Sequence, residues 1–359
     1  MTTHYEERME ADLAEIRRKL TKVSELVENQ VRDVSTALLE EDRDLASKVI
    51  LGDKQVNRRI QDIDHLVHAF IIRHAPSAKH LRFASAVLRL DVALERVGDY
   101  ASTIGREVAQ LESSLPGTVL RDMDMIAQQA RTALNRAIQA FQEEDEEAAI
   151  RTYGLVGQMD HTLRAVIAEL LATAEKRDRP LHDVFALLRI ATIIKRVAEQ
   201  AANICEQTTF YLSGELRDSK LFRILFVGDR NDRSSQIAEA YARKAFPESG
   251  EYSSAGVSPS EALDPELAGF MDARGLDVRS ARPSALSAVD DEARHYHVIV
   301  AMDPGVRGQL PPVPFRTVVL DWALNAPAGL DEETLDVVYK TVVTRVQDLM
   351  TTLAGPEAR

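Results

Sequence analysis

The chain has 359 residues, with Lys+Arg 44, Asp+Glu 57, a formal net charge of -13 and one cysteine. At about 100 to 200 residues per domain, this length indicates two domains. The single cysteine excludes a disulfide framework or a CxxC pair within one subunit, and the acidic balance disfavours nucleic acid as a partner. Because no long apolar run is present and the N-terminus is highly charged, we expect a cytoplasmic protein without a signal peptide.

The first part of the chain has the apolar periodicity of amphipathic helices. From about residue 5 to 214, apolar residues recur at intervals of three and four, as in Leu13, Ile16 and Leu20. Charged and proline-containing breaks divide this region into six helices in two sets of three. The breaks fall near residues 41–42, 76, 115–117, 143–145 and 179–180. Long helices with short connections predict antiparallel bundles.

The two sets of helices are similar in sequence. The pattern "LRL" followed by "ERVGDYA" within residues 88–101 recurs as "LRI" followed by "KRVAEQA" within residues 188–201. The turn "ALLEEDRDLA" at 37–46 likewise parallels "AFQEEDEEAA" at 140–149. We therefore predict an internal duplication of a three-helix unit.

The pattern changes near residue 219. Short apolar stretches at Leu221–Val227, Tyr296–Met302 and Thr317–Leu320 predict strands. Helical segments are predicted between and after them, at 236–245, 261–275, 284–293 and 331–353. This alternation favours an α/β domain with a doubly wound parallel sheet over residues 219–359.

Asp91, Glu95 and Asp99 form an acidic ladder, because residues four apart lie on one face of a helix. Facing carboxylates in helical bundles can hold metal ions. The alternative is a solvated or salt-bridged stripe without a ligand.

The helical half resembles the PhoU family of bacterial phosphate-transport regulators. The similarity lies in "RHAPSAKHLRFASAVLRL", "DVALERVGDYASTIGREV" and "KRVAEQAANICEQTTFYLSGE", and it extends over about residues 5–216. The resemblance implies an all-α domain at 1–218, built from tandem three-helix bundles at about 5–114 and 118–216. It also implies a homodimer, bound divalent or iron-type metal ions, and phosphate transporter components and a sensor histidine kinase as partners. Such partners would place the protein at the inner face of the membrane.

The resemblance also identifies candidate metal ligands. Glu95 and Asp99 correspond to the family's first ladder, and Asp91 lies one turn earlier. In the second repeat Glu199 keeps its acidic character, whereas Lys195 stands where an acid is expected. An ammonium group removes one ligand and repels a cation, which disfavours a second metal cluster.

The segment "ILFVGDRNDRSSQIAEAYAR" reads as a strand, a polar loop and a helix, an arrangement whose amides can hold an oxyanion. Together with "YSSAGVSPSEALDPELAGFMDARGLDV", "HVIVAMD" and "DWALNAPAG", it resembles the low-molecular-weight tyrosine phosphatases over about residues 222–354, most closely their arsenate reductase branch. In that family a Cys-x5-Arg-Ser loop supplies the nucleophile and the oxyanion ligands, and an Asp before Pro is the general acid.

The three groups that carry this chemistry are absent. Gly228 stands at the nucleophile position, Ser234 at the arginine position and Ala326 at the general-acid position, while Asn231 and Ser235 match the loop's structural residues. Glycine cannot form a phospho-enzyme, and alanine cannot protonate a leaving group. We therefore predict a pseudophosphatase rather than an enzyme.

Phosphate or arsenate binding could persist without catalysis, because backbone amides and nearby arginines can hold an oxyanion. The candidate residues are Gly228, Arg230, Asn231, Arg233, Ser234 and Ser235. Asp229 and Asp232 oppose such binding, and the alternative is a solvated turn.

The resulting hypothesis is a regulator of phosphate uptake and phosphate-responsive signalling with a non-catalytic second domain. One alternative is an arsenate reductase or phosphatase with Ser234 or Ser235 as an atypical nucleophile. Another is a metal-binding helical scaffold. Cys205, in the sixth helix, is expected to be a small buried or half-buried helix residue without redox chemistry.

Overall fold

The computed structural model describes residues 4–115, 117–176, 179–214, 221–263, 265–276, 282–288, 296–311, 313, 317–324, 331–355 and 358. The chain divides into two compact units, Met1–Arg217 and Asp218–Arg359.

The first unit is all helical in its described residues. Its helices are α1 His4–Glu40, α2 Arg43–His74, α3 Ala78–Gln110, α4 Gly117–Gln142, α5 Glu146–Glu175 and α6 Leu181–Ser213. Helices α1 to α3 pack together, as do α4 to α6, and α3 also packs on α6. Their apolar stripes bury one continuous core. The predicted tandem bundles are therefore confirmed.

The duplication extends to the geometry of a turn. Glu41 and Glu144 both adopt left-handed backbone conformations, with φ of 57° and 55°. Each precedes an aspartate N-cap, Asp42 of α2 and Asp145 of α5, whose Oδ1 accepts the backbone N–H three residues further on at 2.9 and 2.8 Å. The paired "EED" segments of the sequence thus form the same helix-starting turn in each repeat.

A buried carboxylate binds the segment that connects the two repeats. Asp183, in the first turn of α6, accepts the backbone N–H groups of Glu112 and Ser113 at 3.1 and 3.0 Å. Burial raises the pKa of Asp183, but these hydrogen bonds and the nearby Arg179 outweigh burial and hold it below its ordinary value.

The second unit is a parallel α/β domain. Its described strands and α-helices are β1 Phe222–Gly228, α7 Ser234–Ala245, β2 Gly250–Gly256, α8 Pro265–Ala273, β3 Val298–Ala301, β4 Val318–Asp321 and α9 Glu332–Ala354. The strands are all parallel, in the order β2-β1-β3-β4. The predicted α/β class with a parallel sheet is confirmed.

The central strand is buried on both faces. Ile224 and Phe226 of β1 pack into one apolar cluster, whereas Leu225 and Val227 pack into another. This division follows from the alternation of side chains along a strand. Because the strands are parallel, their carboxyl ends meet at one edge of the sheet, where ligands of such folds bind.

Two elements differ from the sequence-based expectations. Strand β2 was not predicted, because "GEYSSAG" is small and polar, and it forms through its ladder with β1 from Gly250 to Gly256. The helix predicted at 284–293 is a 3-10 turn at Leu286–Ala288 in its described part. Residues 289–295 lie outside the described residues.

Candidate functional site

The predicted oxyanion loop, residues 228–235, connects β1 to α7 at the carboxyl edge of the sheet. Asn231 is buried and has a φ of 50°, a left-handed conformation that asparagine tolerates better than most residues. Its Oδ1 accepts a hydrogen bond of 2.9 Å from the Ser235 hydroxyl. The two residues that match the family's structural positions therefore hold the bend of the loop.

The carbonyl groups of the loop face a neighbouring segment. The oxygens of Gly228, Asp229 and Arg230 accept hydrogen bonds of 3.1, 2.8 and 2.9 Å from backbone amides within 257–260. A Cβ on Gly256 would lie 3.0 Å from the carbonyl carbon of Arg230, so this close backbone approach requires glycine.

At the position of the family's nucleophile, Gly228 contributes only backbone atoms. Gly228 is buried, and a Cβ there would lie 3.0 Å from Ser235 Oγ and 3.1 Å from Asp303 Oδ2. Ser234, at the arginine position, is buried at the start of α7. Ala326, at the general-acid position, lies outside the described residues.

Sequence reasoning did not single out Asp303, which contacts the loop. Its Oδ2 accepts the backbone N–H of Asp229 at 2.8 Å, and its Oδ1 accepts the Ser234 hydroxyl at 3.3 Å. The available signal was topological, because Asp303 follows a strand that lies parallel to β1 and ends at the same edge.

The two candidate arginines differ in their surroundings. Arg230 is exposed, with its Nε 2.9 Å from Asp232 Oδ2 and 3.0 Å from Ser260 Oγ. It would have to leave Asp232 to replace the family's arginine. Arg233 is half-buried immediately before α7. The loop contains two arginines and two aspartates, so its formal charges cancel.

The acidic ladder of α3 combines buried and exposed carboxyl groups. Glu95 and Asp99 are exposed, whereas Asp91 is only 2% exposed and, within the described part of the chain, neither of its carboxyl oxygens has a hydrogen-bond partner. Burial raises the pKa of Asp91 to about 8, and the charges of Asp64 and Glu95 contribute to the increase.

Further oxygen ligands that sequence reasoning missed lie beside this ladder. Gln30 Oε1, Asp53 Oδ1 and Asn57 Oδ1 are buried and have no hydrogen-bond partner among the residues that the structure describes. The first two would lie 3.3 and 3.4 Å from a Cβ on Gly98. Burial and the charge of Asp99 raise the pKa of Asp53. The four-residue spacing of Asp53 and Asn57 on one helix was the signal that could have revealed them.

The chemistry of this region suits a hard cation, since its donors are carboxylate and amide oxygens. Within the described ranges, however, no three His, Cys, Asp or Glu side chains come together as a ready metal site.

The second repeat carries an internal cation at the corresponding place. Lys195 Nζ lies 2.9 Å from both Asp160 Oδ1 on α5 and Glu199 Oε1 on α6, and its side chain is 14% exposed. The predicted ligand Glu199 is thus paired with an ammonium group.

Cys205 is buried on α6. Among the described helices, none is long and apolar enough to cross a membrane.

The fold and loop define a duplicated three-helix domain followed by a phosphatase-type α/β domain. The PhoU domain family model matches residues 20–108 and 124–208, and the low molecular weight phosphotyrosine protein phosphatase model matches residues 223–357. The first unit is therefore similar to the PhoU domain family, and the second is similar to the low-molecular-weight phosphotyrosine phosphatase family. Both resemblances drawn from the sequence are confirmed.

Known relatives match the helical unit over most of their own length. The phosphate-specific transport system accessory protein PhoU of Edwardsiella tarda is 29% identical over 215 residues, which cover 60% of this chain and 88% of the relative. The PhoU of Escherichia coli K12 is 28% identical, with 60% and 89% covered. The crystal structure of PhoU from Pseudomonas aeruginosa, 27% identical, covers 57% of this chain and 99% of its own with a TM-score of 0.55.

Proposed function

We propose that the protein regulates phosphate uptake and phosphate-responsive signalling through its PhoU unit. The supporting observation is that this unit matches phosphate-specific transport accessory proteins over 88% and 89% of their length. Its proposed partners are phosphate transporter components and a sensor histidine kinase at the inner face of the membrane. We also propose a homodimer and a cation held beside the α3 ladder.

Deleting the gene in its source organism tests this role. Phosphate uptake and a phosphate-starvation reporter should both change in the deletion strain, and the full chain should restore them. Unchanged uptake and an unchanged reporter would contradict the proposal.

We propose further that the phosphatase-like unit is non-catalytic. The observation that supports this is Gly228 at the nucleophile position, because a thiolate or another side-chain nucleophile must stand there to form a phospho-enzyme. The loop hydroxyls offer a poor replacement, since Ser235 Oγ donates to the amide oxygen of Asn231, which is not a base, and the contact of Ser234 Oγ with the Asp303 carboxylate is long at 3.3 Å.

A phosphatase assay distinguishes this proposal from the enzyme alternative. The full chain should hydrolyse p-nitrophenyl phosphate no faster than buffer does, and Ser234→Ala/Ser235→Ala should leave that rate unchanged. Hydrolysis well above the buffer rate that disappears in the double variant would instead support an atypical serine nucleophile.

The proposed ligand of the loop is an oxyanion, phosphate or arsenate. Asn231 and Ser235 maintain the bend, and the carbonyl oxygens of residues 228–230, which would repel an anion, accept hydrogen bonds from the 257–260 amides instead of facing it. Backbone amides can hold an oxyanion without any catalytic side chain.

A further inference from the structure

We propose that Asp303 is an internal anion that occupies the 228–235 loop, so that an external oxyanion binds only when this carboxylate leaves. The inference rests on the proposed oxyanion ligand and concerns the regulation of the same site.

The contacts of Asp303 are those expected of a bound anion. One carboxylate oxygen accepts the Asp229 amide at 2.8 Å, and the other accepts the Ser234 hydroxyl at 3.3 Å. Donors that satisfy a carboxylate are strong ligands for a phosphate oxygen as well. The internal carboxylate therefore uses donors that an external oxyanion would need.

Gly228 provides the space for this carboxylate. A Cβ at residue 228 would lie 3.1 Å from Asp303 Oδ2, closer than most real Cβ contacts. Any larger residue at this position would press on the Asp303 side chain. The loss of a side chain at the nucleophile position and the approach of Asp303 are thus sterically linked.

The backbone holds Asp303 beside the loop. The amide of Met302 donates to Val227 O at 2.8 Å, and the Met302 carbonyl accepts the Leu324 amide at 2.6 Å. A tethered group competes at a high effective concentration, whereas free phosphate must bind from dilute solution. External oxyanions should therefore bind weakly while Asp303 remains in place.

The charges around the loop also disfavour the binding of an external oxyanion. The arginines and aspartates of the loop cancel, so Asp303 adds one net negative charge where the oxyanion would enter. Repulsion between like charges a few ångströms apart is substantial near a protein surface. Replacing Asp303 with a neutral residue removes both the competitor and this repulsion.

The test is calorimetric titration of the full chain with inorganic phosphate and arsenate at constant ionic strength. Asp303→Asn and Asp303→Ala should bind phosphate at least ten-fold more tightly than the wild type. In amide NMR spectra of Asp303→Asn, phosphate should shift the signals of Asp229 and Ser234. Circular dichroism should confirm that each variant is folded.

Asp321→Asn is the matched control, because Asp321 is exposed at the carboxyl end of β4 and its substitution makes the same change in net charge. This control should bind phosphate as weakly as the wild type. If Asp321→Asn raised the phosphate affinity as much as the Asp303 variants do, the specific role of Asp303 would be overturned. Equal, measurable affinity in the wild type and both Asp303 variants would overturn the inference but leave the oxyanion site intact. No binding by any variant at millimolar phosphate would overturn the proposed ligand and the competition with it.

Discussion

Gly228 places no side chain at the position where the family's loop has its nucleophile. Asn231 adopts a φ of 50° and accepts the Ser235 hydroxyl, and this contact holds the bend of the loop. The position that a nucleophile would occupy is approached by the carboxylate of Asp303. At the residue scale, the bend of this loop therefore rests on Asn231 and Ser235 and not on a side chain at residue 228.

Asp183 provides a prediction at the same scale. Asp183→Asn removes the negative charge that the amides of Glu112 and Ser113 solvate, and it should lower the free energy of unfolding of the helical unit by about 1–3 kcal/mol at pH 7. Urea unfolding followed by circular dichroism measures this difference.

The pKa of Asp183 determines how that difference depends on pH. Because its folded pKa lies below the ordinary value of 3.8, its stabilisation is present above pH 3.8 and is lost as pH falls through the folded pKa. The difference in free energy of unfolding between the wild type and Asp183→Asn should therefore become smaller at acid pH. Asp62→Asn, on the exposed surface of α2, is the control and should change the free energy of unfolding little. If the difference between the wild type and Asp183→Asn did not depend on pH, this account would be contradicted.

At the scale of elements, the same helix position has opposite charge in the two repeats. In the first repeat Asp53, whose Oδ1 has no hydrogen-bond partner among the described residues, lies near Asp99 of α3, whereas in the second repeat Lys195 of α6 forms ion pairs with both Glu199 and Asp160. A carboxylate that already pairs with an ammonium group at 2.9 Å gains less from a metal ion than an unpaired carboxylate does.

We therefore predict that only the first repeat holds a cation. Metal analysis of the full chain, purified without chelator and incubated with Mn²⁺, should find metal that Glu95→Gln/Asp99→Asn loses. Glu199→Gln, a matched change in the second repeat, should retain the wild-type content. Equal loss in both variants would show that Lys195 does not exclude the ion, and a metal-free wild type would contradict the site.

Much of the element structure was predictable because it depends on local patterns. Apolar spacing and charged or proline-containing breaks located all six N-terminal helices. The same method missed β2, whose only large apolar residue is Tyr252 and whose position depends on pairing with β1. The oxygens of Gln30 and Asp53 beside Gly98 of α3 were missed because these two residues lie on other helices.

At the scale of the whole molecule, each unit has its own apolar core. The helical core includes Leu13 to Tyr211, and the two faces of the sheet bury separate clusters between Ile224 and Met350. Burial of apolar surface is the main stabilising contribution to folding, so each unit contains the means to fold independently.

Residues 1–214 and 221–359, expressed separately, should therefore both fold. Their circular dichroism spectra should sum to that of the full chain, and each fragment should unfold cooperatively on heating. A fragment 221–359 with the spectrum of an unfolded chain would contradict this independence, provided that fragment 1–214, the internal comparison, is folded.

The sequence by itself determined the helices, the duplication, both families and the absence of the nucleophile at Gly228, because these features depend on residue type and local spacing. Tertiary structure decided which groups meet: Asp303 with the loop, Lys195 with Asp160, and Gln30 with Gly98 of α3. The physical reason is that each of these contacts joins residues on different elements. Local periodicity does not predict a contact between two elements. Strand order and helix packing bring the two residues close enough to interact.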